Sequence, residues 1–387
     1  MLRRITPALH RLDHAIGRLS ATRDVLVEMR TPVYEAVLGP IARALAENPH
    51  VRVWYTSEYP DRIRSLVPTE DFLTHAQAEW RRFDLYLNAD PWAAATLRRC
   101  ARRVNFFHGV AGKYDLDNPA GLPMGFELYD RVAFINRDRM ERYLRARVIT
   151  PGQAVLVGYP KLDALVDGSI DAARVRSELG LDPSRPTVLY APTYSTASSL
   201  HIAGESIVET LSSAGFNVIA KLHDRSFDAD PRYTGGINWR ERFRALERPG
   251  HVRLAECADC TPLLAAADLM VTDHSSVGFE YCVLDRPLLV FDAPDLPVAA
   301  RINRQKVALL RSVATVVRTC NELAGAARAA LADPWRLSAE RRRIAGHMFF
   351  DAGRATARAV ALTRDLLHPA APRQVRTVDA PSLHGGA

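Results

Sequence analysis

Residues Leu269 to Phe291 read Leu-Met-Val-Thr-Asp-His-Ser-Ser-Val-Gly-Phe-Glu-Tyr-Cys-Val-Leu-Asp-Arg-Pro-Leu-Leu-Val-Phe. Leu269–Val271 is a short apolar run, which predicts a buried strand. A helix is expected to start at Ser275 or Ser276 and to run to about Leu284, where Asp285-Arg286-Pro287 ends it. Leu288–Phe291 is a second apolar run of strand length. Strand, helix, strand is the building unit of a parallel sheet.

The same rhythm extends outward from this segment. Runs rich in β-branched and aromatic residues occur at Val25–Val27, Val51–Tyr55, Leu85–Leu87, Val104–Phe107, Val132–Ile135 and Val155–Val157. A polar stretch over 167–185 interrupts them, and the runs resume at Thr187–Tyr190, Val218–Ala220, Val252–Leu254 and Val313–Val317. Two successive series predict an α/β protein with two doubly wound parallel sheets. The expected division is an amphipathic helix over 1–22, a first domain over 23–166, a second over 167–334, terminal helices over 335–368 and a disordered tail over 369–387. In the N-terminal segment Leu2, Ile5, Leu9, Leu12, Ile16 and Leu19 form a stripe with arginines between them. It suits either an anionic lipid surface or the body of the protein.

Composition narrows the function classes. The chain has 387 residues, 48% hydrophobic and 25% charged, an ordinary globular balance that excludes collagen-like and wholly disordered classes. Its net charge of +7 favours a polyanionic partner: nucleic acid, an anionic membrane or a phosphorylated substrate. Lysine is scarce, arginine is spread along the chain and no nucleic-acid module appears, so nucleic acid is not expected. No apolar window reaches the ~20 residues of a membrane span. The cysteines Cys100, Cys257, Cys260, Cys282 and Cys320 are odd in number and scattered, which predicts free thiols in a reducing cytosol. Cys257 and Cys260 form a single CxxC with no second pair, so no metal site is expected.

In open α/β sheets, ligands bind beyond the carboxyl ends of the strands. There the sequence places His108-Gly109, Gly158-Tyr159-Pro160, Ala191-Pro192-Thr193, Lys221-Leu222-His223 and Asp273-His274-Ser275-Ser276. Ser275 and Ser276 at a helix start offer hydroxyl and backbone donors to a phosphate. Capping by Asp273 or Ser275 is the alternative, but it leaves the serine pair followed by an acid unexplained. Glu280, one turn on, suits ribose hydroxyls or open solvent. His108 suits a general base near neutral pH, or a buried structural role, and Gly109 permits close approach of a ligand. Lys221 and His223, two apart and so on one face, suit a diphosphate, or a surface lysine beside a hydrogen-bonded histidine.

This ordered set resembles the CDP-glycerol glycerophosphotransferase family of teichoic-acid and capsule synthesis. The match runs through His108-Gly109, Gly158-Tyr159-Pro160, Ala191-Pro192-Thr193, Lys221 with His223, and Asp273, Ser275, Ser276, Phe279 and Glu280, with a looser segment from Asp351 to Arg358. The resemblance implies a GT-B-like architecture, two Rossmann-like domains facing across a cleft, and chemistry without a bound metal or cofactor. His108 would be the general base; His223, Ser275 and Ser276 would hold the donor's phosphates, and Thr193 would line the same pocket. The chain departs from the family pattern at Phe107, where the family has tryptophan, at Ser195, where an arginine is common, and at Asp224 and His274.

The expected function is transfer of a glycerol-phosphate, or related polyol-phosphate, from a CDP-linked donor to a hydroxyl of a lipid-linked or polymeric acceptor. The expected place is the cytoplasm, on the inner face of an anionic plasma membrane. A GT-B glycosyltransferase or UDP-sugar epimerase-like enzyme is the first alternative, although such families commonly use paired glycines and acids where this chain has the serine pair. A non-catalytic nucleotide-binding protein of the membrane surface is the second.

Overall fold

The computed structural model describes residues 17, 20–89, 99–110, 112–113, 117–119 and 125–367. Its first sheet contains β1 (Arg23–Glu28), β2 (Val51–Ser57), β3 (Phe72–Thr74), β4 (Phe83–Asn88), β5 (Cys100–Phe106), β6 (Arg131–Phe134) and β7 (Ala154–Leu156). The spatial order is β3-β2-β1-β4-β5-β6-β7. The second contains β8 (Thr187–Tyr190), β9 (Asn217–Ala220), β10 (Val252–Leu254), β11 (Leu269–Thr272), β12 (Leu288–Phe291) and β13 (Thr315–Val317), in the order β10-β9-β8-β11-β12-β13. Every pairing is parallel, with Val25 opposite both Val53 and Leu85, and Met270 opposite both Leu189 and Leu288.

These strands read as unbroken apolar runs because helices cover both faces of each sheet. Val25, Leu26 and Val27 are all fully buried, and so are Leu269, Met270 and Val271. β3 went unseen in the sequence: it is a three-residue edge strand behind a charged turn, pairing only Tyr55–Ser57. The last expected strand begins at Thr315 rather than Val313. The helix after β11 spans Val277–Cys282, and Asp285 closes it at φ +52°, held there by Arg341 and Ser338 on its carboxylate.

The helix Ala172–Glu178, in the polar stretch between the sheets, is pinned to the second by Arg176, which donates to Ala266 O and Asp268. The expected terminal helices are Ser338–Met348 and Ala355–Leu367. The first packs under Val277–Cys282, whereas the second returns to the first domain and packs on the helix Val33–Ala46. Arg358 Nε donates to Val157 O, and Asn136 caps the helix Arg137–Arg145 while giving its amide to Met348 O. Apart from Gly17 and 20–22, the N-terminal amphipathic helix lies outside the described residues, as does the tail over 369–387. No helix among the described residues is long and apolar enough to cross a membrane.

Candidate active site

Both sheets reverse strand order at their first strand, and in the second the reversal lies between β8 and β11. Asp273 ties that point together. It is fully buried, and its carboxylate accepts from Thr193 N at 3.1 Å, Thr193 Oγ1 at 2.6 Å, Ser199 N at 3.1 Å and Ser199 Oγ at 3.1 Å. Asp273 therefore fixes the Pro192–Thr193 turn and does not cap the next helix. Ser276 is the N-cap residue of Val277–Cys282, yet its hydroxyl makes no cap bond, so capping does not explain the serine pair.

β9 delivers Lys221 and His223. Lys221 Nζ donates to Leu222 O at 2.8 Å and lies 3.7 Å from Asp224 Oδ1. Burial pushes the Asp224 carboxyl up, and Lys221 partly opposes this. His223 Nδ1 accepts from Arg225 N at 3.1 Å. In the neutral ring the proton therefore sits on Nε2, which becomes a donor. Its ring packs on Tyr194 at 4.4 Å between centroids. His223 is exposed and lines the cleft. Desolvation, and then Lys113, Lys221, Arg225 and His108, hold its pKa well below the ordinary histidine value.

The first domain supplies the opposite wall. Phe107 sits among Phe126, Phe134 and Tyr143, with Arg139 over its ring, so it serves as a core aromatic. The next residue, His108, places Nδ1 at 2.8 Å from Ala89 O. A carbonyl only accepts, so Nδ1 carries the proton and Nε2 of the neutral ring holds the lone pair. The two neutral rings are thus in opposite tautomers, with Nε2 an acceptor in His108 and a donor in His223. Gly109 has φ +78°, donates to Tyr159 Oη at 3.3 Å and accepts from Arg139 Nη1 at 2.9 Å. A Cβ built on Gly109 would stand 3.7 Å from Ser276 Oγ. The His108-Gly109 turn thus faces the serine pair directly.

A cavity of about 140 Å³ between these walls is lined by His108, Gly109, Lys221, His223, Ser275, Ser276 and Glu280, among others. A neighbouring cavity of about 360 Å³ shares Lys221 and His223 and opens toward Arg62, Arg225 and Arg240. Of the remaining expected residues, Thr193, Gly158 and Pro160 stand behind the surface. Thr193 is buried and bound to Asp273 rather than lining the cavity. Gly158, at φ +92°, lies where a Cβ would come within 2.5 Å of Phe350 O, and Pro160 opens the buried turn Pro160–Leu162. Glu280, expected to face ribose or solvent, is buried and gives Oε2 to Lys161 Nζ at 2.6 Å.

The family model for CDP-glycerol:poly(glycerophosphate) glycerophosphotransferase matches residues 127–362, more than half of the chain. The chain belongs to this family. Among solved structures, a His→Ala variant of the wall teichoic acid polymerase TagF is similar at TM-score 0.69 and 15% identity, covering 95% of this chain and 98% of that one. A His→Asn variant of TagF soaked with CDPG matches at TM-score 0.69 and 14% identity, with the same coverage of 95% and 98%. A putative UDP-N-acetylglucosamine 2-epimerase from Listeria monocytogenes matches at TM-score 0.57 and 15% identity, covering 91% of this chain and 98% of that one. These likenesses establish the GT-B-like fold. No curated protein matches by sequence.

Two residues of this glycerophosphotransferase-family site, Lys161 and Lys113, were missed in the sequence, and Tyr159 was read only as part of its Gly-Tyr-Pro turn. Tyr159 Oη accepts from Gly109 N; Lys161 bridges Glu280 and lies 3.2 Å from Cys260 Sγ; Lys113 Nζ donates to Thr193 Oγ1 at 3.3 Å. The available signal was scarcity: Lys113, Lys161, Lys221 and Lys306 are the only lysines among 51 basic residues, and all four stand where the domains meet. Cys260 is thus a half-buried partner of Lys161, and desolvation raises its thiol to about 11. Among the described residues no cluster of His, Cys, Asp or Glu is arranged to hold a metal.

Burial also gives the glycerophosphotransferase-family chain a pH-dependent stability. It lowers the pKa of His201, His223, His274 and His347, while Glu28 raises that of His75. Each lowered histidine binds protons more readily in the unfolded chain, so it favours folding above the unfolded pKa of about 6.5 and loses that contribution as pH falls toward its folded value. The raised histidine, His75, works the other way. The melting temperature is expected to fall as pH drops from about 7.5 to about 5.5, and less steeply in His223→Asn. A thermal scan across that range checks it, and a flat profile contradicts it.

Proposed function

We propose that this protein transfers a glycerol-phosphate, or related polyol-phosphate, from a CDP-linked donor to a hydroxyl of a lipid-linked or polymeric acceptor. The observation that carries this reading is the confrontation of the His108-Gly109 turn with Ser276 across the cleft, 3.7 Å from the Gly109 Cβ position. His108 Nε2 takes the proton of the acceptor hydroxyl. That oxygen attacks the β-phosphorus, a new P–O bond forms, the bond to the bridging oxygen breaks, and CMP leaves with the electron pair. The Ser275 and Ser276 hydroxyls, His223 Nε2–H and Lys221 offset the charge that builds on the phosphates. Positioning and charge do most of the work in such a transfer.

The membrane acceptor gives the chain's +7 charge a use, since each basic residue near an anionic surface contributes about 1 kcal/mol. The reaction would then run at the inner face of the plasma membrane. The test is CMP release from CDP-glycerol in the presence of a membrane acceptor, beside a panel of UDP- and GDP-linked donors. Ser276→Ala is expected to raise KM for CDP-glycerol by about tenfold or more, the loss of one hydrogen bond to a charged group. Its melting temperature should stay near the parent's, because the hydroxyl caps no helix. Preferential turnover of a UDP-sugar would overturn the donor assignment.

A further inference from the structure

We propose that Lys113 is a cross-domain positioning residue for the donor: its ammonium anchors the Pro192–Tyr194 turn of the second domain and adds positive charge beside the donor's diphosphate. This rests on the transferase reading above and deepens it. Lys113 is carried on the loop that leaves His108, yet its bonding partner is in the other domain. Lys113 Nζ donates to Thr193 Oγ1 at 3.3 Å, and Thr193 Oγ1 in turn donates a hydrogen bond to Asp273 Oδ1 at 2.6 Å. A cation and a fully buried carboxylate are thus joined through one hydroxyl. The ammonium also stands 5.6 Å from the centre of the Tyr194 ring, which packs on His223. The adjoining Gly112 O accepts from Asn303 N at 3.3 Å, so this loop is bonded twice to the second domain.

The choice of residue supports the role. The chain uses arginine for nearly all of its 51 basic positions and places lysine at only four. An ammonium is compact and loses its proton in a buried setting, whereas a guanidinium stays charged. The turn it reaches, Pro192 to Ser199, carries no lysine or arginine of its own. Lys113 therefore brings a cation from the opposite domain to a place where the local sequence offers none.

The groups facing Lys113 are Asp273 and His274 from the end of β11, His223 from the turn after β9, and Thr193 and Tyr194 from the turn after β8. Asp273 is the one acid among these described groups. Burial lowers the Lys113 pKa to about 8, with Asp273 partly opposing. Above that pH the ammonium becomes neutral, and both its hold on Thr193 and its attraction for the diphosphate weaken.

The test follows kcat/KM for CDP-glycerol, and CDP affinity by calorimetry, from about pH 6.5 to about pH 9.5. For the wild type both should fall above about pH 8, approaching tenfold per pH unit as one proton is lost. Lys113→Arg should keep the neutral-pH affinity and lose the alkaline fall. Lys113→Met should weaken CDP binding by about tenfold or more at neutral pH, and its profile should be flat. An alkaline fall that persists in both variants, or unchanged CDP affinity in Lys113→Met, would overturn the assignment. If the wild type binds CDP with this pH dependence but releases no CMP from CDP-glycerol, the transferase reading fails and the role of Lys113 stands. With full turnover and identical profiles in all three proteins, the transferase reading stands and the role of Lys113 fails. A wild type that binds no CDP sinks both.

Discussion

His108→Ala is expected to lower kcat for CMP release by about 10²–10⁴-fold while leaving CDP-glycerol affinity within a few-fold of the parent. The size follows from what the side chain does. An alcohol is a poor nucleophile until its proton is removed, and a positioned imidazole removes it as the new bond forms. The hydrogen bond from Nδ1 to Ala89 O fixes the tautomer that puts the acceptor lone pair on Nε2, as the proposed base requires. The donor's phosphates, by contrast, are assigned mostly to the second domain, so losing the imidazole should spare binding. Single-turnover rates with matched calorimetry separate the two effects. Unchanged kcat in His108→Ala would remove the base assignment. A large loss of affinity with unchanged kcat would make His108 a binding residue instead.

The second large effect is structural and lies across the domain interface. Lys161 Nζ and Glu280 Oε2 are 2.6 Å apart, with side-chain exposures of 4% and 3%, so neither charge reaches water when its partner is lost. Burial disfavours the Lys161 ammonium, but Cys260, Glu280 and Tyr159 outweigh it and hold the pKa well above its usual value. Removing one member of such a pair typically costs about 3–5 kcal/mol, because the other charge stays buried and unpaired. Lys161→Met should therefore lower the unfolding free energy by that amount. The double variant Lys161→Met with Glu280→Leu should recover most of the loss, since an apolar pair of similar volume is often as stable as an ionic one. Denaturant titrations of the three proteins decide this. Equal stabilities for Lys161→Met and the parent would show that the pair contributes little to the fold.

How much of the molecule is legible in its sequence depends on whether the information is local. The central strands announce themselves because each is buried on both faces and so spells an unbroken apolar word. β3 does not: Phe72-Leu73-Thr74 lacks the valines that mark the equally short edge strands Ala154–Leu156, Val252–Leu254 and Thr315–Val317, and it follows a charged turn. His108, His223, Ser275 and Ser276 are findable because residues just past strand ends gather on one side of an α/β sheet. Their partners are not. Glu280 reads as a ribose ligand or a solvated residue until Lys161, 119 positions earlier in the chain, is placed beside it. Thr193 and Asp273 each read as site residues in their own right, yet the first is satisfied by the second across 80 positions. Pairings of that range come from the packing of two sheets and have no local signal.

The return of the last helix to the first sheet bears on how the molecule is made. Ala355, Ala359 and Leu367 are buried there, and Arg358 reaches Val157 O, so the amino-terminal half borrows its final packing layer from the far end of the chain. A nascent chain emerges from the ribosome in sequence order, and halves that are self-contained can mature as they appear. Here the earlier half must wait, with part of its surface uncovered, until residues 355–367 have been made, while the later half already has its own strands in hand. Expression of residues 23–166 alone would leave that uncovered face to water, and chaperone dependence during synthesis should concentrate on the half that is born first.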